Sequence, residues 1–249
     1  MDSLRNTLRY YGRGIRLYLS IGIVLLTLEV LWWGIAVYGA TDLATIRIQE
    51  AYAWLSVALL VLALLIGPIT KVFPKLPGMP MIRESRRIIG IGAAWFAVLH
   101  ALLSYFKQFN ADSIFGLPAI YQQSFALGIL AIIALLALTF TSANAIMRAM
   151  GVWWFRLHRL IYVAILASLM HAFMIGAHAT SLPVLVALAA LAAIWIGCNI
   201  YLLFRDKDAS FWRILALCIG TILLLATLNY GLTEYRGNNL IIGEHGEHE

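Results

Sequence analysis

The sequence predicts an all-α integral membrane helix bundle, and three observations carry that prediction. Of the 249 residues, 62% are hydrophobic and 12% charged, with a mean hydropathy of +0.86; a soluble domain holds roughly 45–50% apolar residues. The apolar residues gather in stretches of about 20, which at about 1.5 Å each cross a hydrocarbon core of about 30 Å. The basic residues sit at the boundaries of those stretches.

Taken in order, residues 2–17 set Leu4, Leu8, Tyr11 and Ile15 on one helical stripe and Arg5, Arg9, Arg13 and Arg16 on another. That pattern suits a helix lying in the interface. A first span follows over 18–39, too long for a signal-peptide core and closed by Trp32, Trp33 and Tyr38, so it reads as a retained anchor. Glu29 falls mid-span, where a carboxylate is costly, and is expected to be protonated or paired inside the bundle. Further spans are expected at 51–70, 88–106, 123–141, 159–177, 183–204 and 212–231, seven in all. Gly67 and Pro68 should end the second, and 71–87, with three prolines, reads as a loop. The chain then divides into an amphipathic cytoplasmic segment (1–17), a six-helix core (18–204), a loop with an additional seventh helix (205–231) and an acidic tail (232–249).

Lys and Arg mark the cytoplasmic side of a membrane protein. With the N-terminus inside, only Arg47, Lys107 and Arg236 of the 18 basic residues fall outside. This predicts a multi-pass protein of the bacterial inner membrane with a periplasmic C-terminus. The tail histidines His245 and His248 then belong to a disordered acidic segment. Net charge +6 does not imply nucleic acid, because the cations line membrane boundaries instead of a soluble face. Cys198 and Cys218 lie in apolar stretches and read as packing residues. No G-x-G-x-x-G or P-loop occurs, so any reduced nicotinamide is used by another protein.

The chemistry is carried by histidines. Span three reaches His100 about 12 residues from its start near Ile88, and span five reaches His171 about 12 residues after Arg159, both roughly 18 Å deep. Two imidazoles at one depth on parallel helices form the arrangement for axial ligation of one haem iron. Gly90 and Gly92 would let a macrocycle or another helix approach span three. His178, seven residues beyond His171, falls near the same face and is the alternative ligand. His158 lies 13 residues before His171, turned roughly 140° from it on an ideal helix, so a shared face requires an irregular helix start. Three readings of His158 stay open: ligand to a second haem with an unusual partner, contact to a flavin held by Arg86, Arg87, Arg156 and Arg159, or an interfacial histidine without cofactor. Those arginines also suit topology anchors, and Trp153 and Trp154 an aromatic belt.

At Thr141, Ser142, Arg148, Gly151, Trp154, Leu157, His158, Arg159, Leu160, Tyr162 and His171, and over 86–105, the sequence resembles the ferric-reductase-like transmembrane family. Within it the likeness is to the MsrQ type, the haem-binding membrane subunit of periplasmic methionine sulfoxide reductase systems. The resemblance implies a six-helix core with b-type haem, axial ligands His100 and His171, and His158 near a second, inner cofactor site. It also implies electrons from a cytoplasmic flavin reductase, with FMN or FAD as carrier, delivered to a periplasmic or membrane acceptor: a partner reductase, a ferric complex or a quinone. The family's paired basic residues before the loop glycine are reduced here to Arg148, and the seventh helix is an addition. The alternative is a structural or assembly subunit of a larger membrane redox complex, bound to other subunits.

Overall fold

The computed structural model describes residues 2–108, 116–175 and 182–206, with the isolated positions 217 and 221. Among these residues the chain is all-helical: α1 (Asp2–Tyr38), α2 (Asp42–Val72), α3 (Met79–Leu103) with a π-helical turn at Ser104–Gln108, α4 (Ala119–Phe140), α5 (Asn144–Met150), α6 (Val152–Leu157), α7 (Leu160–Ile175) and α8 (Leu182–Asp206). Among the described residues six segments are long and apolar enough to cross a membrane, with α6 and α7 together making the fifth. The span expected at 212–231, the tail and His178 lie outside the described residues.

Several element boundaries differ from the sequence expectation, each for a local reason. Residues 2–17 are not a separate helix, because α1 continues unbroken from Asp2 into the first span. Gly39, at φ 67°, makes the tight turn out of α1, and Thr41 opens α2 by accepting from the Ala44 amide at 3.3 Å. Pro68 does not end α2, which runs on to Val72; the Thr70 hydroxyl donates to the Ile66 carbonyl at 2.8 Å in this last stretch. The second half of the expected 71–87 loop is helix. Gly78, at φ 84°, leads into α3, and Pro80 sits in its first turn, where a missing N–H costs nothing.

Small side chains let the helices approach. Ala93 and Ala94 of α3, Ala134 of α4 and Ala164 of α7 are buried together around Leu60 of α2. The Ser56 hydroxyl donates to the Ala93 carbonyl at 2.8 Å, tying α2 to α3. Gly92 is a packing glycine, since a Cβ there would stand 2.7 Å from Ile23 Cδ1 of α1, whereas a Cβ at Gly90 would meet nothing within 4 Å. Tyr52 stacks on Phe96 and donates to the Thr27 carbonyl at 3.0 Å, joining α1, α2 and α3.

Basic segments meet at one end of this bundle. Arg16 pairs with Glu84 at 2.9 Å, Arg205 donates to the Lys71 carbonyl at 2.8 Å, and Arg87 donates to Asn144 Oδ1 at 2.6 Å. Glu29 does not find the partner inside the bundle that was one of its two expectations: it is exposed on α1, whose outward face also carries Leu25, Leu28 and Trp32, and it pairs with no other described residue. Because the membrane-spanning part of α1, residues 18–38, is apolar nearly all round, its sequence does not single out the face that packs.

Candidate functional site

His100 stands near the end of α3 and His171 in the last turns of α7, and the bundle brings their rings together. The ring centres are 6.1 Å apart, with planes at 76°. α3 packs on α1, α2 and α4, and α7 on α4 and α2, while α3 and α7 are not close-packed on each other. The two imidazoles therefore approach from helices held apart.

Each ring is fixed through Nδ1. His100 Nδ1 donates to the Gln49 carbonyl of α2 at 3.1 Å, and His171 Nδ1 donates to the Ser124 carbonyl of α4 at 2.8 Å. A carbonyl can only accept, so each ring carries its proton on Nδ1 and keeps the Nε2 lone pair for a ligand. That is the state of a metal-binding histidine, whose second nitrogen is held by a backbone carbonyl. With ring centres 6.1 Å apart, the two Nε2 atoms could hold one metal ion between them. The pair could therefore hold a haem iron through both Nε2 atoms, and the group would supply one-electron chemistry there.

One turn after His100, at Ser104, the chain changes to π-helical geometry, and Ser104 Oγ donates to the His100 carbonyl at 2.9 Å. Such turns recur at functional sites. Ser124 is 0% exposed; its hydroxyl donates to the His171 carbonyl at 3.2 Å and lies 3.0 Å from His171 Nδ1.

His158 lies apart from this pair, toward the basic end. Helix geometry breaks here: α6 ends at Leu157, α7 begins at Leu160, and Tyr162 N donates to the Arg159 carbonyl at 3.0 Å in the tighter pattern of a turn. His158 stacks on Trp154 at 3.8 Å between ring centres, and its Nδ1 donates to the Trp154 carbonyl at 3.0 Å. Trp154 is itself tied through Nε1 to the Thr141 carbonyl at 2.9 Å. Arg86 and Arg87 lie within electrostatic range of His158. Both already have partners: Arg86 Nε donates to the Ala63 carbonyl at 2.9 Å, and Arg87 to Asn144. Arg156 lies over its own neighbour Trp153 at 4.6 Å, and Arg159 is exposed. The four arginines are therefore not gathered around one point.

Residues 52–169 match the family described as ferric reductase like transmembrane component. The protein-methionine-sulfoxide reductase heme-binding subunit MsrQ of Pectobacterium carotovorum subsp. carotovorum (strain PC1) is 30% identical over 168 residues, covering 66% of this chain and 78% of that protein. The chain belongs to the ferric-reductase-like transmembrane family. MsrQ of Cronobacter sakazakii (strain ATCC BAA-894) is likewise 30% identical over 168 residues, with the same coverage of each chain. The magnetosome protein MamZ of Magnetospirillum gryphiswaldense (strain DSM 6361 / JCM 21280 / NBRC 15271 / MSR-1) is 30% identical over 138 residues, 55% of this chain but 21% of MamZ. No solved structure matches the chain.

In this ferric-reductase-like bundle the residues that sequence reasoning missed are the acceptors, Gln49 and Ser124. Their backbone oxygens leave no mark on side-chain identity. The available signal was a small residue four positions on, Ala53 and Gly128, which leaves each carbonyl open to an outside donor.

Proposed function

We propose that this chain is a haem b electron-transfer subunit of the bacterial inner membrane, taking electrons from a cytoplasmic reduced flavin or flavin reductase and passing them to a periplasmic acceptor. The observation that carries this reading is the His100–His171 pair, 6.1 Å between ring centres with both Nδ1 atoms on backbone carbonyls. His100 and His171 hold the iron through Nε2, while α2 and α4 orient the rings. Haem, when bound, supplies one-electron iron chemistry, and the protein supplies orientation and potential. The printed names of the MsrQ relatives, heme-binding subunits of a protein-methionine-sulfoxide reductase, support both the cofactor and a partner reductase as acceptor. A ferric complex or a quinone is the other acceptor class.

At the basic end His158 keeps an Nε2 lone pair beside the Trp154 face, with Arg86 and Arg87 in range. This end faces the cytoplasm, with the N-terminus inside and the C-terminus periplasmic, on the distribution of Lys and Arg. His158 is the residue of an inner cofactor site, for an FMN or FAD or for a second haem.

The test is the reduced-minus-oxidised visible spectrum and haem stoichiometry of the purified protein with His100→Ala, His171→Ala and His158→Ala. Six-coordinate low-spin b-type bands that vanish in the first two variants are expected. Wild-type protein without haem after haem-replete expression would sink the reading.

One observation favours a second reading, a subunit of a larger membrane redox complex: Glu29 stands on the outward face of α1, where a carboxylate in hydrocarbon calls for a partner. Under that reading the protein co-purifies with fixed partners and its haem is not reduced by added flavin.

A further inference from the structure

The two histidines are held differently, and the difference lies in α4. In a helix the carbonyl of one residue points toward the side chain four positions on, which normally screens it from outside donors. Four residues after Ser124 stands Gly128. A Cβ built there would lie 3.1 Å from His171 Nδ1 and 3.2 Å from its Cε1. The imidazole therefore occupies the place a side chain would take. At the other ring, the residue four beyond Gln49 is Ala53, which keeps its Cβ.

Ser124 adds a second hold. Its carbonyl accepts from His171 Nδ1 at 2.8 Å; its hydroxyl donates to the His171 carbonyl at 3.2 Å and, 3.0 Å from Nδ1, accepts a share of the same ring proton. Ring and backbone of His171 are thus clasped by one fully buried residue of a different helix. The corresponding serine at His100, Ser104, bonds only within its own chain segment.

Resting on the haem reading, we propose that Ser124 and Gly128 are positioning residues that fix the orientation and tautomer of His171, and that this seat sets the redox potential of the group it holds. A hydrogen bond from Nδ1 to a carbonyl strengthens Nε2 as a donor and favours the oxidised metal. Loosening the seat weakens that donor, so the potential rises and the ligand is lost more readily.

The experiment uses the full chain, loaded with haem in micelles, in wild type, Gly128→Ala, Ser124→Ala and two glycine controls. Gly22→Ala adds a Cβ in open space on the exposed face of α1, and Gly92→Ala adds one 2.7 Å from Ile23 Cδ1, a packing contact away from the rings. The readouts are the midpoint potential, the low-spin optical and paramagnetic-resonance signature, and haem retention against a haem acceptor. Gly128→Ala is expected to shift the potential upward, raise the high-spin share and weaken haem retention about 10-fold, the low end for loss of a supporting contact. Ser124→Ala shifts in the same direction by less, since the backbone carbonyl stays. Gly22→Ala leaves every readout at wild type, and Gly92→Ala lowers thermal stability without moving the potential.

Loaded Gly128→Ala and Ser124→Ala at the wild-type potential and spectrum overturn the seat and leave the haem reading standing. If Gly128→Ala does not fold, Ser124→Ala decides by the same criterion. Wild-type protein that carries no haem overturns the haem reading, and the seat with it.

Discussion

Arg86 of α3 donates through Nε to the carbonyl of Ala63 in α2 at 2.9 Å, and its guanidinium rests where a Cβ on Gly67 would stand 3.3 Å from Nη1. The contact falls in the turn of α2 before Pro68, where proline has removed the N–H that would pair the Leu64 carbonyl and loosened the helix. A long cation from the next helix thus bonds the carbonyl next to the one that Pro68 leaves without its helical donor. Arg86→Ala should lower stability by about 1–2 kcal/mol, toward the low end for a hydrogen bond to a charged group because Arg86 retains exposure. Arg86→Lys should recover only part of this, having no planar fork. Unfolding in micelles by denaturant measures both; an unchanged midpoint in Arg86→Ala would leave the residue to the inner cofactor site alone.

The Ser56 hydroxyl, bonded to the Ala93 carbonyl at 2.8 Å, sits beside the alanine cluster that lets α2, α3, α4 and α7 approach. Interhelical hydrogen bonds in membranes contribute about 0.6 kcal/mol on average, because the polar group finds other partners when the helices separate. Ser56→Ala should therefore cost less than about 1 kcal/mol. Ser56→Leu should cost about 1–3 kcal/mol from overpacking against Ala93, which is 0% exposed. The ranking, read from thermal unfolding of both variants, separates packing from hydrogen bonding; equal losses would contradict it.

How much of this was legible in the sequence follows from what each feature leaves in side-chain identity. Hydrophobic spans are written in composition, so helical class and membrane setting could be read directly, and the family match agrees. The depth of His100 and His171 could be read from their offsets along two helices. Their seats were hidden except for the small residues four positions on, since Gln49 acts through its backbone oxygen and Ser124 through its carbonyl as well as its hydroxyl. The break after Leu157 was visible only as a conflict, 13 residues that fail to put His158 and His171 on one face of an ideal helix. The orientation of Glu29 and the passage of α2 through Pro68 depend on which neighbours pack where, and an all-round apolar pattern does not encode that.

Gly151 separates α5 from α6 at φ 53° and ψ −121°, a conformation that a side chain strongly disfavours. Its carbonyl accepts from the Trp154 amide at 3.3 Å, so this turn sets where the Trp154 ring stands under His158. Gly151→Ala should cost about 1–3 kcal/mol through backbone strain alone, since nothing lies within 4 Å of the added Cβ. Thermal unfolding measures the cost. Solvent accessibility of Trp154, followed by quenching in a variant retaining that tryptophan alone, should rise; an unchanged accessibility would mean that the stack holds its own geometry without the turn.

Glu29 presents the opposite case, a costly group with no structural reward among the described residues. It is exposed on α1, and neither an ion pair nor a hydrogen bond joins it to another described residue. An acidic side chain at the centre of a membrane helix costs about 2.5–3.5 kcal/mol on insertion scales. Removing it should therefore leave the isolated bundle as stable as before or more so: Glu29→Leu should unfold in micelles at or above the wild-type midpoint. In membranes the expectation reverses if α1 meets another transmembrane helix through this carboxyl, for Glu29→Leu would then lose the assembly while Glu29→Gln, which keeps a hydrogen-bonding side chain, retains part of it. Native gels of mild-detergent extracts compare the three proteins. A Glu29→Leu variant that is less stable in micelles would show instead that the carboxyl has a partner within the chain.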